Sequence, residues 1–248
     1  MSPAPADRVK PALNTFLDQV YVINLKVRAD RRAEIDAQLR RIGLSLDAPG
    51  VTLFEASKPT DPAGFPTLGA YGCFMSHLAV LREARDKGLA SVLILEDDLN
   101  FCDNFVVRFA DVAACLGSHA WGLWYGSYHL DAPLPLSSAP CVRVAPALAV
   151  GTSALVAVNG SHIAPLVQYL EAMLRRSAGD SAGGPMHIDG AYCWYRQAHP
   201  EAATWLATPP LGYQRSSRTD VHALRWFDRA GWAAAIVAWL RRLQNRWR

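Results

Sequence analysis

The sequence has no long apolar run, no closely paired cysteines and no strong excess of either charge. The longest nearly apolar segment, Ala145 to Val158, is too short to cross a bilayer and contains Pro146 and Gly151. The five cysteines form no C-x-x-C pair and leave one over if paired, which argues against a zinc ribbon or a disulfide framework. A net charge of +3 does not indicate a nucleic-acid partner. This cysteine usage fits a reducing compartment, so we expect a cytoplasmic protein, and Met1 to Lys10 lacks the apolar core of a secretory signal.

Strand and helix patterns alternate along the chain. Hydrophobic residues make up 51% and charged residues 19%, which is typical of a chain with a buried core. The predicted strands are Val20–Leu25, Val51–Ala56, Ser91–Leu95, Trp121–Tyr128, Ala147–Val158 and Thr204–Ala207. The predicted helices are Asp30–Ile42, Cys73–Lys87, Ser161–Arg175 and Asp189–Gln197, and Pro209–Thr219 is predicted to be irregular.

This alternation predicts an α/β fold with a central, mostly parallel sheet flanked by helices. We expect one domain over residues 18–225, preceded by an N-terminal extension (1–17) and followed by a basic amphipathic helix (226–248). In such sheets ligands bind outside the carboxyl ends of the strands, which is where the candidate site is expected.

An acidic triplet, Glu96-Asp97-Asp98, directly follows the clearest buried strand, Ser91–Leu95. If strand geometry continues, Glu96 and Asp98 point to one side of the sheet and Asp97 to the other. Such a pair suits Mn²⁺ or Mg²⁺, which prefer oxygen ligands and can offset the charge of a leaving diphosphate. Alternatively, the acids form a solvated turn or a helix cap.

Seven short motifs follow one another through most of the chain. They are V-I-N-L at Val22–Leu25, R-x-D-R-R at Arg28–Arg32, G-C-x-x-S-H at Gly72–His77, I-L-E-D-D at Ile94–Asp98, G-T-S-A from Gly151, H-I-D ending at Asp189 and P-x-x-x-Q at Pro210–Gln214. In this order they resemble glycosyltransferase family 25, which contains lipooligosaccharide galactosyltransferases and collagen galactosyltransferase domains. The resemblance implies a GT-A-like fold and inverting transfer of a sugar, most often galactose, from a UDP-sugar to a hydroxyl of a glycan, glycolipid or other acceptor.

The resemblance also implies roles for particular residues. The implied donor-binding residues are Asn24, Leu25, Arg28, Arg31, Ser76, His77, Glu96, Asp97 and Gln214, with Glu96 and Asp98 as the ligands of Mn²⁺ or Mg²⁺. Guanidinium groups suit a diphosphate or a base, although arginines can equally coat an exposed helix and His77 can be structural. His187 and His222 are alternative metal ligands.

Inverting transfer requires a general base that removes the proton of the acceptor hydroxyl. Asp189 is the candidate, because it follows the glycine-rich loop Ala178–Pro185 and matches the late aspartate of the family. Capping of the following helix is an equally physical hypothesis.

Two positions depart from the family pattern. Gly69-Ala70-Tyr71 stands where the family usually has G-E-x, and Lys26 replaces the acid that usually follows V-I-N-L. The donor sugar and the acceptor therefore cannot be copied from well-known members. Acceptor contacts are expected from loops at 57–69, 129–142 and 177–186.

Other functional classes remain as alternatives. One is a catalytically impaired domain that still binds a nucleotide sugar or a carbohydrate. Another is a metal-dependent phosphohydrolase or nucleotidyltransferase, although a second acidic cluster and a G-x-x-x-x-G-K-[ST] loop are missing. A third alternative is a pure interaction protein, in which the acidic triplet would occur by chance and have no chemical role.

The C-terminal segment from Trp226 has an amphipathic pattern. One helical arc would carry Trp232, Ile236, Trp239, Leu240, Leu243 and Trp247, while Arg241, Arg242 and Arg248 would lie off it. This pattern is typical of a helix that binds the anionic inner face of the cytoplasmic membrane, where a lipid-linked acceptor would be displayed. Alternatively, the stripe packs on the catalytic domain or on a second copy of the chain.

Overall fold

The structure is a computed structural model that describes residues 16–134 and 137–215. The helices are α1 (Ala29–Arg41), α2 (Leu68–Asp86), α3 (Phe105–Gly117), α4 (Gly160–Leu174) and α5 (Ile188–Ala198). The strands are β1 (Gln19–Asn24), β2 (Val51–Glu55), β3 (Ser91–Glu96), β4 (Leu99–Phe101), β5 (Leu123–His129), β6 (Cys141–Val144), β7 (Gly151–Asn159), β8 (Thr204–Ala207) and β9 (Gly212–Gln214).

Seven strands form the central sheet, in the order β2-β1-β3-β7-β5-β8-β6. The predicted α/β class, with a central sheet flanked by helices, is confirmed. Pairing is parallel for β1 with β2, β1 with β3 and β5 with β8, and antiparallel for the other three neighbours, so the sheet is mixed. Ile23 pairs with Glu96, which brings the carboxyl ends of β1 and β3 to the same edge.

The sheet separates two hydrophobic clusters, because side chains alternate between its faces. In β1, Tyr21 and Ile23 belong to one cluster and Val20 and Val22 to the other. The first cluster packs against α2, α4 and α5, and the second against α1 and α3. This layering buries β1 and β3 between helices on both faces, so that the residues after these strands start from a packed sheet edge.

A separate two-stranded ladder joins β4 to β9, with Leu99 opposite Gln214. The ladder brings a segment from the far end of the described chain beside the residues that follow β3. The prediction that Pro209–Thr219 is irregular is therefore wrong for Gly212–Gln214.

The predicted strands and helices are otherwise found, with shifted ends. Helix α2 begins at Leu68 rather than at Cys73, since Thr67 caps it by accepting a 3.0 Å hydrogen bond from Ala70 N. The sequence patterns missed β4, α3 and β6.

Some predictions concern residues outside the described part of the chain: most of the N-terminal extension, His222 and the C-terminal segment from Trp226. Among the helices described, none combines the length and apolar character needed to span a bilayer.

Candidate active site

A cavity of about 310 Å³ lies at the carboxyl ends of β1 and β3. Seven of the predicted site residues line it: Leu25, Arg28, Arg31, Ser76, Glu96, Asp97 and Asp98. Its size is at the lower end of the usual range for small-molecule sites, about 300 to 1,000 Å³. The fold thus brings together side chains that lie far apart in the sequence.

All three acids of the triplet face this cavity, so the predicted alternation of side chains is wrong. Strand β3 ends at Glu96, and Asp97 and Asp98 form a turn. The two-residue period applies only within a strand, and it is lost once the chain turns. As a result, Arg31 reaches both aspartates: its Nη1 lies 3.0 Å from Asp97 Oδ1 and 3.7 Å from Asp98 Oδ2.

Asp97 is held by two partners from the first strand–helix unit. Asn24 Nδ2, at the end of β1, donates a 2.7 Å hydrogen bond to its Oδ2, and Arg31 in α1 donates to its Oδ1. Burial raises the pKa of Asp97, and the adjacent Arg31 and Asn24 oppose that rise. Asp97 is therefore committed to contacts within the protein.

Asp98 is the least satisfied of the three acids. Its Oδ2 accepts a 3.1 Å hydrogen bond from Gln214 Nε2, but its buried Oδ1 has no hydrogen-bond partner among the described residues. Burial, followed by the charge of Glu96, raises the pKa of Asp98 to about 7. Three consecutive carboxylates at one cavity, one of them with an unsatisfied buried oxygen, fit a divalent cation with oxygen ligands. Glu96 and Asp98 are the residues available to hold it.

Glu96 is surrounded by side chains of helix α2 and strand β7. Its Oε1 accepts a 2.6 Å hydrogen bond from Ser153 Oγ, lies 3.4 Å from His77 Nε2 and lies 4.0 Å from Cys73 Sγ. Burial opposes ionisation of Glu96, but the neighbouring His77 and Ser153 outweigh it and lower the pKa. Glu96 is therefore an oriented carboxylate at the floor of the cavity.

The G-C-x-x-S-H motif positions the loop that follows β2. A Cβ on Gly72 would lie 2.6 Å from Ser57 O, so only glycine permits this approach. Ser76 Oγ accepts a 2.9 Å hydrogen bond from Ser57 N and donates one of 2.6 Å to Gly72 O. The Ser76 hydroxyl thus has a structural role in addition to its place in the cavity lining.

Arg28 lies at the start of α1, on the rim of the cavity. Its Nε and Nη2 donate to the two carboxylate oxygens of Asp30, at 2.9 and 2.8 Å. These bonds from Arg28 lower the pKa of Asp30 to about 2. The fork of Arg28 is therefore held by Asp30 at a position that lines the cavity.

Asp189 lies in the first turn of α5, and the N-cap of that helix is His187. The carboxylate accepts hydrogen bonds from Thr152 N at 3.2 Å and Gly190 N at 2.8 Å. Thr152 has φ of 66°, a conformation that is rare and strained for a β-branched residue. Asp189 is thus fixed against a strained segment of β7 rather than serving as the helix cap.

The remaining predicted residues surround the acids without lining the cavity. Asn24 and His77 are buried behind the triplet, and Gln214 is exposed beside Asp98. Sequence reasoning missed Cys73, Ser153 and Arg215, whose backbone N donates a 2.7 Å hydrogen bond to Asp98 O. The first two lie inside motifs that were recognised, but nothing in the pattern singles out Arg215.

Comparisons with known proteins agree with the predicted resemblance. Residues 17–115 match the family described as Glycosyltransferase family 25 (LPS biosynthesis protein). A rat protein named "Probable inactive glycosyltransferase 25 family member 3" is 35% identical over 115 residues, which are 40% of this chain and 20% of the rat protein. Zebrafish "Procollagen galactosyltransferase 1" is 29% identical over 141 residues, which are 56% of this chain and 22% of that protein. The chain therefore spans about a fifth of these relatives.

The solved structures that match the chain include one that covers much of it. It is the crystal structure of mannose-1-phosphate geranyltransferase from Thermus thermophilus, with a TM-score of 0.37 and 14% sequence identity. The match covers 83% of this chain and 64% of the other.

Proposed function

Because residues 17–115 match glycosyltransferase family 25, we propose that this chain is an inverting, metal-dependent glycosyltransferase. It would move a sugar, galactose in the first instance, from a UDP-sugar to a hydroxyl of a glycan, glycolipid or other acceptor. The observation that carries the proposal is the convergence of Glu96, Asp97 and Asp98 with Arg28 and Arg31 on one cavity. This combination offers both a cation site and guanidinium groups to a diphosphate.

The donor would lie in the cavity between β1 and α2. Ile23, Leu25 and Val27 provide apolar wall for the nucleoside, while Arg28 and Lys58 bring positive charge to the rim. Planar guanidinium groups bind phosphate oxygens through paired hydrogen bonds. Binding of the diphosphate at this rim would place the sugar toward the acids.

Glu96 and Asp98 would hold Mn²⁺ or Mg²⁺, which supplies Lewis-acid stabilisation of the charge on the leaving diphosphate. The chain itself prepares this site: Ser153 orients Glu96, while Gln214 and the backbone of Arg215 hold Asp98. Such supporting hydrogen bonds typically contribute about 10- to 100-fold to metal affinity or activity.

Asp189 would act as the general base. It would take the acceptor hydroxyl proton as the new bond to the anomeric carbon forms and the bond to the diphosphate oxygen breaks. Two backbone hydrogen bonds fix its carboxylate, which favours proton transfer from an oriented hydroxyl. The charge of Asp189 also acts on Cys73, whose pKa is raised by burial, then by Glu96 and Asp189. Cys73 lines the cavity, so this influence supports a position of Asp189 near the acids.

A second candidate function is a catalytically impaired domain that binds a nucleotide sugar or carbohydrate. Two observations favour it: several relatives carry the word inactive in their names, and Arg31 already places a cation against Asp97 and Asp98. An internal cation of this kind reduces the need for a metal ion.

A screen of UDP-sugars for manganese-dependent release of UDP distinguishes the two functions. The parent protein is compared with Asp98→Asn and with Asp111→Asn, which removes an exposed acid from α3. The transferase proposal expects UDP release that needs both a divalent cation and Asp98 but not Asp111. Donor binding without release of UDP, even with a panel of acceptors, would support the impaired domain instead.

We also propose, from the sequence pattern alone, that the segment from Trp226 attaches the enzyme to the inner face of the cytoplasmic membrane. Removal of residues 231–248 should then abolish salt-sensitive binding to anionic vesicles while leaving UDP release unchanged. Unfolding or aggregation of the shortened protein would show that the segment packs on protein.

A further inference from the structure

Cys73, His77 and Glu96 form a second group of metal-ligand side chains beside the acidic triplet. One ligand atom from each residue lies within 4.8 Å of the other two, and no other group of three or more His, Cys, Asp or Glu in residues 16–134 and 137–215 meets that spacing. Cys73 and His77 are four residues apart on α2 and therefore share a helix face. Glu96 approaches them from the end of β3.

The spacing of these atoms is close to that of ligands around one metal ion, and Cys73 Sγ also lies within sulfur hydrogen-bond distance of Glu96 Oε1. His77 Nε2 lies 3.4 Å from Glu96 Oε1, beyond the usual N–H···O range of about 2.7 to 3.2 Å. Tetrahedral zinc with bonds of about 2.1 Å to nitrogen and oxygen and about 2.3 Å to sulfur separates N and O ligands by roughly 3.4 Å, and S and O ligands by roughly 3.6 Å. The 4.0 Å between Cys73 Sγ and Glu96 Oε1 would need to close by roughly 0.4 Å.

A buried, unsatisfied nitrogen points into this group. His77 is fully buried, and its Nε2 has no hydrogen-bond partner among the described residues. Its other ring nitrogen, Nδ1, lies 2.9 Å from Tyr192 Oη. Metal-bound histidines usually have such a partner on the second nitrogen, which fixes the ring and its tautomer. Tyr192 would therefore be the outer-shell residue of the site.

We propose that Cys73, His77 and Glu96 bind a thiophilic divalent cation, Zn²⁺ in the first instance. The three residues leave one tetrahedral position, which opens on the cavity because Cys73 and Glu96 line it. A thiolate and an imidazole select Zn²⁺ over Mn²⁺ or Mg²⁺, which prefer carboxylates and water. A bound cation would also displace the thiol proton of Cys73.

The site shares Glu96 with the hard-cation site of the proposed transferase. Zn²⁺ would compete for the Glu96 carboxylate and would place a second divalent charge beside Mn²⁺ or Mg²⁺, which weakens the binding of that ion. Zinc would thus inhibit the enzyme, and this consequence rests on the proposed function. The binding of zinc itself does not depend on the proposed function.

Cobalt(II) titration of the metal-free, reduced protein tests the binding. The parent protein should bind one cobalt ion with a thiolate-to-cobalt absorption band in the near ultraviolet. Cys73→Ser should lose that band, and His77→Gln should weaken binding by roughly 100-fold or more, because even an outer-shell partner is worth about 10- to 100-fold. Cys102→Ser, which changes a half-buried cysteine outside the cavity, should keep both band and affinity. The proposal is overturned if the parent shows no thiolate band or if Cys73→Ser keeps it.

X-ray absorption of the zinc-loaded parent needs no variant and serves if Cys73→Ser does not fold. It should show one sulfur at about 2.3 Å with the remaining ligands at about 2.0 to 2.2 Å. A spectrum without sulfur would contradict the site.

Inhibition is tested separately, as UDP release in excess Mn²⁺ with added Zn²⁺. In this assay Cys73→Ser should be at least about tenfold less sensitive to Zn²⁺ than Cys102→Ser. If the protein has no transferase activity, only the inhibition test cannot be done, and the cobalt and X-ray absorption tests of binding remain.

Discussion

Ser153 Oγ donates a 2.6 Å hydrogen bond to Glu96 Oε1, across a separation of 57 residues in the chain. The bond depends on the antiparallel pairing of β3 with β7, in which Leu95 lies opposite Leu155. Ser153 is itself buried, so the bond is shielded from water. Glu96 therefore takes its orientation from β7, on which the strained Thr152 precedes Ser153.

Ser153→Ala should lower transfer without unfolding the protein. Loss of a hydrogen bond that orients a metal ligand typically costs about 10- to 100-fold in metal affinity or activity. The measurement is UDP release as a function of Mn²⁺ concentration, where the midpoint should move to higher Mn²⁺. Ser161→Ala, which changes an exposed serine beyond the other end of β7, should leave that midpoint in place.

Asp98→Asn should reduce transfer by at least about 100-fold, because the loss of a ligand exceeds the loss of an outer-shell partner. Stability should stay the same or rise, since the substitution removes a buried charge that is repelled by Glu96. Thermal melts of the parent and the variant check the expected stability, and UDP-release assays check the expected loss of transfer. Activity within a few-fold of the parent at saturating Mn²⁺ would refute the metal assignment.

Asp189→Asn should lower kcat by about 10²- to 10⁴-fold while the donor KM changes little. A general base acts mainly in the transition state, so its loss affects kcat before binding. Steady-state kinetics with varied donor separates the two constants. A variant that loses thermal stability but keeps kcat would show that Asp189 only anchors Thr152 to α5.

Gly72→Ala should destabilise the fold by about 1 to 3 kcal/mol, the usual cost of overpacking. The added methyl would meet Ser57 O at 2.6 Å, so helix and loop must separate. Because Ser57 also lines the cavity, donor KM should rise as well. The matched control is Gly117→Ala in α3, where an added Cβ meets nothing within 4 Å. That variant should be as stable as the parent or up to about 1 kcal/mol more stable.

Asp36→Asn should remove a pH-dependent part of stability. Asp36 accepts hydrogen bonds from Leu46 N at 2.9 Å and Arg40 Nε at 2.8 Å, and the Leu46 contact is the main cause of its lowered pKa. A lowered folded-state pKa stabilises the protein above the ordinary value of 3.8, and this contribution is lost as pH falls through the folded-state value.

The parent should therefore exceed Asp36→Asn by about 1 kcal/mol at pH 7, and the two should converge below the ordinary pKa of 3.8. Denaturant unfolding at several pH values measures this difference. A constant gap across pH would contradict the electrostatic origin. Asp111→Asn, at an exposed acid, should show no such trend.

Sequence alone predicted the strands that carry the strongest apolar patterns. The buried run of β3 and the acids after it led to the candidate site, because position at a strand end implies position at a sheet edge. Short elements were missed: β4 has three residues and β6 has four, too few for a period to appear. Helix α3 begins with Phe105-Val106-Val107, residues that favour strands as much as helices.

The contacts within the candidate site were less predictable than the residues proposed for it. That Arg31 would face Asp97 depends on the turn after β3, and that Gln214 would reach Asp98 depends on the pairing of β4 with β9. Both are tertiary relationships with no local signal. The arrangement of Cys73 beside Glu96 was missed for the same reason, although both residues lie in recognised motifs.

The β4–β9 ladder also sets the order in which the molecule is completed during synthesis. Gln214 and Arg215 reach Asp98 and the Asp97 carbonyl across 116 and 118 residues, so the acidic turn leaves the ribosome long before its last partners do. Domains fold as their chain emerges, and contacts of such sequence separation form late. A nascent chain that ends before Gly212 would contain β1, α1 and β3 in full but would lack the hydrogen bonds from Gln214 and Arg215 to Asp98. The newly made protein would therefore complete the hydrogen bonds around Asp97 and Asp98 only after residue 215 has left the ribosome.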